Sequence, residues 1–409
     1  MRFKRMIRSL LEQDQYKFSM GMAIWDMFPD YVTTWNFKCR NKGVKFSHEM
    51  IEEIREQLKA YCKLRFTEEE LEYLGSIRWM KPAYIAFLRL WHPRYEDIAV
   101  VETNQDPCGM QIQTRGTWLN TSMYEMPILS IVNEVYFRMH PLFSYNELMG
   151  GFEKNLTEKI KKLERQDLVI GSFSEFGLRR RLSADAQEMA VEKLMLAEKY
   201  LTPSHFVGTS NVYLAKKYGV TPVGTMAHEF IQCVGQGNPK HNPAYSNYYM
   251  MDAWTSEYGV DNGIALTDCI GTDVFLRDFD TRFATLFKGV RHDSGEPIAW
   301  GEKIIKHWEK LGIDPKQKTL LFSDSLNFVK ADVLYRHFSG QTNVAFGIGT
   351  YISNDTFADP LNIVCKVVEC NGSPVAKISD DESKGICTDS NYIEYLKKAI
   401  KWRLEHDVN

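Results

Sequence analysis

His228 is the nucleophile candidate of this chain, because it opens a helical stretch directly behind two small polar loops. The loops are Gly208-Thr209-Ser210-Asn211 and Gly224-Thr225, and the second runs into Ala227-His228-Glu229. Glycine permits a tight turn, and N–H groups at a helix start favour an anion, so the pair reads as a phosphate-handling site. Five more polar clusters follow short apolar runs: Glu175-Phe176-Gly177-Leu178-Arg179-Arg180-Arg181, Thr267-Asp268, Arg291-His292-Asp293-Ser294-Gly295, Ser323-Asp324-Ser325 and Gly347-Ile348-Gly349-Thr350. Arginine can clamp phosphate or carboxylate oxygens with two hydrogen bonds, and glycine turns can present N–H groups to a terminal phosphate. The aspartates suit three tasks: holding Mg²⁺, orienting a histidine, or accepting ribose hydroxyls. Each cluster also has a plainer reading, with Asp268 and Ser323 as helix caps, the arginines as a solvated face and Gly347 and Gly349 as a turn. Their concurrence on successive strand ends favours chemistry.

Those strand ends belong to a repeating pattern. Leu168–Ser172, Ser204–Val207, Thr221–Gly224, Gly263–Leu266, Phe287–Val290, Thr319–Phe322 and Val344–Gly347 are short apolar runs, most with helical sequence behind them. The alternation predicts an α/β fold, an irregular (β/α) barrel over residues 136–354 with its site at the C-terminal ends of the strands. The flanks differ. Residues 47–66 and 122–139 carry helical spacing, 97–102 and 110–115 form a strand pair around Asp106-Pro107, and 361–369 with 374–378 form a hairpin around Asn371-Gly372. A helix is expected from Asn391 to about Leu404. Residues 1–135 and 355–409 are therefore expected to make a smaller, discontinuous α+β domain.

Bulk properties narrow the partners. The net charge of −3 shows no basic surplus, which removes any charge argument for a nucleic-acid partner and leaves a small substrate as the default. The eight cysteines are scattered without a C-x-x-C pair and read as reduced, packed thiols. The basic start, MRFKRMIRSLL, lacks the apolar core of a signal peptide, and no run approaches the length of a membrane span. A cytoplasmic protein is expected. The chain has no G-x-x-x-x-G-K, G-x-G-x-x-G, H-E-x-x-H or G-x-S-x-G, which argues against P-loop kinases, Rossmann enzymes, zincins and α/β-hydrolases.

Taken in order, Gln13-Asp14-Gln15-Tyr16-Lys17, EFGLRRR, GTSNVYLA, GTMAHE, GIALTDC, RHDSGEP, LFSDS, FGIGT and LNIVCKVVECNGSPVAK, ending at Lys377, resemble the nicotinate phosphoribosyltransferases over nearly the whole chain. The resemblance implies transfer of a phosphoribosyl group from phosphoribosyl pyrophosphate to the ring nitrogen of nicotinate, giving nicotinate mononucleotide for NAD biosynthesis. It also implies coupling to ATP and Mg²⁺. His228 falls on the family's phosphorylated histidine, whose neutral imidazole would attack the γ-phosphate of ATP. Asp268 and Asp293 fall where carboxylates orient that histidine, steady its developing charge or assist Mg²⁺.

By the same pattern, Tyr16 and Phe176 would sandwich the pyridine ring, with the tyrosine of relatives coming from a neighbouring subunit, so a homodimer is expected. Arg179 and Arg291 would meet the substrate carboxylate or the phosphates. Thr209 and Ser210 would bind the substrate. The related nicotinamide-using enzyme carries aspartate in place of Ser210, and a serine can donate to a carboxylate that an aspartate would repel. Ser323, Asp324, Gly347 and Gly349 would grip the ribose and its 5′-phosphate.

Overall fold

The computed structural model describes residues 4–381 and 387–406; the first three residues of the basic start, and parts of the C-terminal segment of the expected smaller domain, lie outside them. Two sheets organise the chain. One is antiparallel and assembled from distant segments: β1 (Val32–Cys39), β2 (Ile98–Glu102), β3 (Met110–Thr117), β11 (Ile363–Cys370) and β12 (Ser373–Pro374). Its order is β12-β11-β1-β3-β2.

Strand β1 stands at its centre, paired with β11 on one side and β3 on the other, and it is the strand that sequence patterning misses. Its buried face is Thr33, Trp35 and Phe37. A threonine on that face hides the apolar alternation. Thr33 is accommodated because its hydroxyl pairs with that of Thr121 at 2.6 Å and accepts from the Trp35 indole at 3.1 Å. The turn at Asn371-Gly372 has both residues at positive φ, as an Asn-Gly turn between antiparallel strands requires. The second strand of that hairpin is shorter than expected, and residues beyond Pro374 leave the sheet to run towards the barrel.

The second sheet contains β4 (Ser172–Glu175), β5 (His205–Thr209), β6 (Thr221–Pro222), β7 (Ile264–Leu266), β8 (Gly289–His292), β9 (Thr319–Phe322) and β10 (Asn343–Ile348). Every neighbouring pair is parallel, in the order β6-β5-β4-β10-β9-β8-β7. This is the chain order taken around a ring and cut between β6 and β7. The expected irregular barrel is therefore a curled sheet of seven parallel strands, open at one seam. Strand β4 starts later than the apolar run 168–172 suggests, because Gly171, at φ +59°, turns the chain only then into the sheet.

Between β6 and β7 the chain runs through two helices, His228–Gln236 and Ser246–Tyr258, which pack on one another. The first is buried along its whole length. Phe230 fastens it, with its ring 5.1 Å from Trp254 and 5.7 Å from Trp118, so the helix carrying His228 is gripped by the Ser246–Tyr258 helix and by the Trp118–Ser122 helix that follows β3. One hydrophobic core is continuous through both. Such packing holds the strand ends at fixed distances, as a multi-residue site needs.

Candidate active site

A cavity of about 640 Å³ opens at the C-terminal ends of the barrel strands, and the antiparallel sheet closes its other side. Tyr16, Phe176, Arg179, Ser210, His228, Arg291, Asp293, Ser323, Asp324, Gly347 and Gly349 all line it. Of the candidate residues, only Thr209 and Asp268 do not.

Asp268 stands directly behind His228. The His228 ring places Nε2 2.8 Å from Asp268 Oδ1 and 3.8 Å from Asp293 Oδ2. A further group completes the cluster: Lys377 Nζ lies 2.9 Å from His228 Nε2 and 2.8 Å from Asp268 Oδ2. Burial and the Lys377 ammonium hold His228 below the usual histidine range, against the opposite pull of Asp268 and Asp293. The imidazole is thus neutral near pH 7. Burial works against ionisation of Asp268, yet the His228 ring and Lys377 hold its carboxyl well below the usual range. Asp268 also accepts from the Ser294 hydroxyl at 2.5 Å. Asp293 is likewise held low despite burial, first by Arg291.

The ligand atoms of His228, Asp268 and Asp293 lie within 4.8 Å of one another, a spacing that a cation can bridge. The Lys377 ammonium already occupies the position between His228 and Asp268. Mg²⁺ prefers six oxygen ligands and would be repelled by that charge, so this donor set fits Lys377 better than Mg²⁺.

Arg291 is buried, and its guanidinium donates to Ser323 Oγ at 2.7 Å, to Thr225 Oγ1 at 3.0 Å and to Asp293 Oδ1 at 3.0 Å. It braces three loops. Ser323 in turn donates to the carbonyl of His292 at 3.0 Å.

The two aromatic residues, Tyr16 and Phe176, line the same cavity. Tyr16 belongs to the same chain's pocket, not to a neighbouring subunit, because the buried helix Gln15–Met27 is docked there: Gln15 N donates to the Ser210 carbonyl and Val212 N to the Gln13 carbonyl. The expectation of a homodimer rested on Tyr16 and loses that support. The Tyr16 hydroxyl receives a short hydrogen bond from Arg179. Phe176 lies over Gly347, where a Cβ would stand 2.5 Å from the ring's Cε2, so this glycine seats the aromatic ring. Ser210 donates to Asp14 Oδ1 at 2.6 Å, so its hydroxyl proton is committed within the protein. Thr209 is fully buried behind it and donates to Glu175 Oε2 at 2.6 Å.

Sequence reasoning missed several charged residues. Lys17, fully buried, bridges Glu125 at 2.8 Å and Glu229 at 3.1 Å, linking the helix of Tyr16 to the helix of His228. Glu125 lines the cavity and is lowered to about 2; burial opposes this and Lys17 is the main cause. Lys366 and Arg180 line the same cavity, and burial pushes Lys366 down to about 8 and Arg180 to about 10. Arg40 stands near them, with no carboxylate within 4.0 Å of it among the described residues. These half-buried cations, of which only Lys366 has a carboxylate within 4.0 Å among the described residues, Glu125 at 3.7 Å, mark a place for an anion. The only sequence signal for Lys17 and Lys377 was their position inside the runs QDQYK and GSPVAK that carry the family resemblance, since burial of a lysine is invisible to composition.

The profile of the nicotinate phosphoribosyltransferase (NAPRTase) family matches residues 172–403, and that of the NAPRTase N-terminal domain matches residues 11–133. The nicotinate phosphoribosyltransferase of Ralstonia nicotianae is 44% identical over 399 residues, covering 96% of this chain and 99% of the relative. The crystal structure of nicotinate phosphoribosyltransferase from Vibrio cholerae superposes with a TM-score of 0.88 at 32% identity, covering 99% of this chain and 95% of that one. The structure of nicotinate phosphoribosyltransferase from Porphyromonas gingivalis gives 0.87 at 32% identity, covering 97% and 100%.

Proposed function

Because this chain belongs to the nicotinate phosphoribosyltransferase family, we propose that it transfers the phosphoribosyl group of phosphoribosyl pyrophosphate to the ring nitrogen of nicotinate, and that ATP drives the step through a phosphate carried by His228. The observation that carries the second half is the environment of His228. Nε2 is enclosed by Asp268 Oδ1 and Lys377 Nζ, so Nδ1 is the ring nitrogen left to act as nucleophile, in the tautomer whose proton sits on Nε2 against Asp268. Nδ1 attacks the γ-phosphorus, the bond to the bridging oxygen breaks, and ADP leaves. Asp268 steadies the imidazolium character that develops. Lys377 offsets the charge that the phosphoryl group brings into a buried place. Water then returns the histidine and releases phosphate.

In the sugar transfer, Tyr16 and Phe176 hold the flat pyridine ring and Arg179 faces its carboxylate. Pyrophosphate leaves as the bond from the nicotinate nitrogen to the ribose carbon forms. Arg40, Arg180 and Lys366 supply positive charge for the departing anion. Mg²⁺ would accompany the phosphates of both substrates. Among the described residues no helix is long and apolar enough to cross a membrane.

The test uses purified protein with nicotinate, phosphoribosyl pyrophosphate, Mg²⁺ and ATP. Pyrophosphate release is expected with nicotinate and not with nicotinamide or quinolinate, and label from the γ-phosphate of ATP is expected on the protein. His228→Asn should abolish both the label and the stimulation by ATP. Full stimulation by ATP in that variant would refute the phosphohistidine.

A further inference from the structure

Glu175 is a fully buried carboxylate that the mechanism above does not use. No lysine, arginine or histidine nitrogen lies within 4.0 Å of it among the described residues. An unpaired buried charge is costly unless hydrogen bonds compensate, and here three do. Glu175 Oε1 accepts from Gly177 N at 2.5 Å, and Oε2 accepts from Thr209 Oγ1 at 2.6 Å and from Gln187 Nε2 at 2.9 Å. Its backbone carbonyl takes a fourth donor, Ser210 N, at 2.9 Å.

These donors are not scattered. Gly177 N fixes the turn that carries Phe176, and Thr209 and Ser210 form the opposite strand end. We infer that Glu175 is a positioning residue which, as a carboxylate, clamps the Phe176 turn to the Thr209-Ser210 loop and so sets the width and orientation of the slot that receives the nicotinate ring. The inference rests on the reading of Phe176 as a wall of that slot.

The chemistry of the clamp is specific to the ionised form. A carboxylate offers acceptors only, and it faces three donors. Replacement by glutamine puts an amide donor against the Gly177 or the Gln187 N–H, and protonation weakens the acceptor at the oxygen that takes the proton. Asp14 faces Glu175 with the same charge, while Arg181 and Asn211 reach it only through Gln187, and Glu12 pairs with Arg181. Burial, first, and Asp14 push Glu175 up to about 7 against the three hydrogen bonds, so its ionisation changes near neutral pH. Lys366, at about 8, gains charge as pH falls and would strengthen the binding of an anion, so it acts in the opposite direction.

Steady-state constants for nicotinate and for phosphoribosyl pyrophosphate decide the question, measured between pH 6 and 8 for the wild type, Glu175→Gln, Glu175→Asp and Phe176→Ala. Glu175→Gln at pH 8 is expected to raise the nicotinate KM about 10-fold, the cost of roughly one misdirected buried hydrogen bond. The KM for phosphoribosyl pyrophosphate and kcat should change by less than about 3-fold, the part of that cost not confined to the slot. Glu175→Asp, which keeps the charge, should lie between. In the wild type the nicotinate KM should rise as pH falls from 8 to 6, and Glu175→Gln should lack that rise. If Glu175→Gln does not fold, the wild-type profile and the aspartate variant decide. An unchanged nicotinate KM in Glu175→Gln, with a raised one in Phe176→Ala, overturns the inference and leaves the slot in place. Unchanged values in both overturn the slot and the inference together.

Discussion

Replacing Gly347 with alanine separates two roles for one residue. As a phosphate-binding turn, Gly347 would present its N–H to the ribose 5′-phosphate, and alanine would weaken phosphoribosyl pyrophosphate. In the structure Gly347 lies within strand β10, in extended backbone that alanine adopts without strain. A Cβ there would stand 2.5 Å from Cε2 and 3.0 Å from Cγ of Phe176. Carbon atoms rest about 3.5 Å or more apart, so the ring must move by about 1 Å, into the slot where the pyridine would stack. An offset stack contributes roughly 0.5–1.5 kcal/mol, which corresponds to a nicotinate KM raised about 2- to 10-fold if most of it is lost. The assay is pyrophosphate release at saturating phosphoribosyl pyrophosphate with nicotinate varied, then the reverse. A nicotinate KM that stays put, or a KM for phosphoribosyl pyrophosphate that rises as much, would refute the reasoning.

Lys377→Met removes the cation beside His228 and leaves Asp268 and Asp293 facing it. Phosphoryl transfer from ATP should fall roughly 100-fold, the usual cost of losing one preorganised charge partner. Burial and Lys377 together hold His228 low, so without Lys377 the imidazole takes its proton at higher pH. The acid limb of the labelling rate should move upward in pH, which rapid-quench measurements with γ-labelled ATP would show. Glu175 predicts a stability effect of definite sign. Its carboxyl is raised from 4.5 to about 7 in the folded chain, so the fold is stabilised by its protonation and loses about 3 kcal/mol as pH rises through that interval. The stability of Glu175→Gln relative to the wild type should be greatest above pH 7 and decline towards pH 5, as read by urea denaturation at several pH values.

The two halves of the site were unequally legible. The barrel strands could be read because each is a short apolar run behind a helix, and a parallel strand buried on both faces has no alternation to lose. The central strand β1 could not, since Thr33 faces the core and satisfies itself locally. The helix Gln15–Met27 escaped for a related reason: it is buried on all sides, so it shows no apolar stripe.

His228, Asp268 and Asp293 were legible as types and spacing, and the structure brings them together. Thr209 was legible as a polar loop residue, yet it serves the layer behind the cavity. Ser210, read as a donor to the substrate carboxylate, donates its hydrogen bond to Asp14. Which of a residue's hydrogen bonds is already spent depends on partners up to 196 positions away, and no local pattern carries that.

The sequence alone determined the parallel strand succession, the anion-favouring turns and the histidine at a helix start, because these follow from local backbone preference and from the order of apolar and polar residues. Tertiary structure alone placed Tyr16 in its own chain's pocket, Lys377 beside His228 and Asp268, and Glu175 between the Phe176 turn and Thr209. Each of these turns on a charge or ring being buried against a distant segment. Burial fixes which protons are held and which hydrogen bonds remain for a substrate.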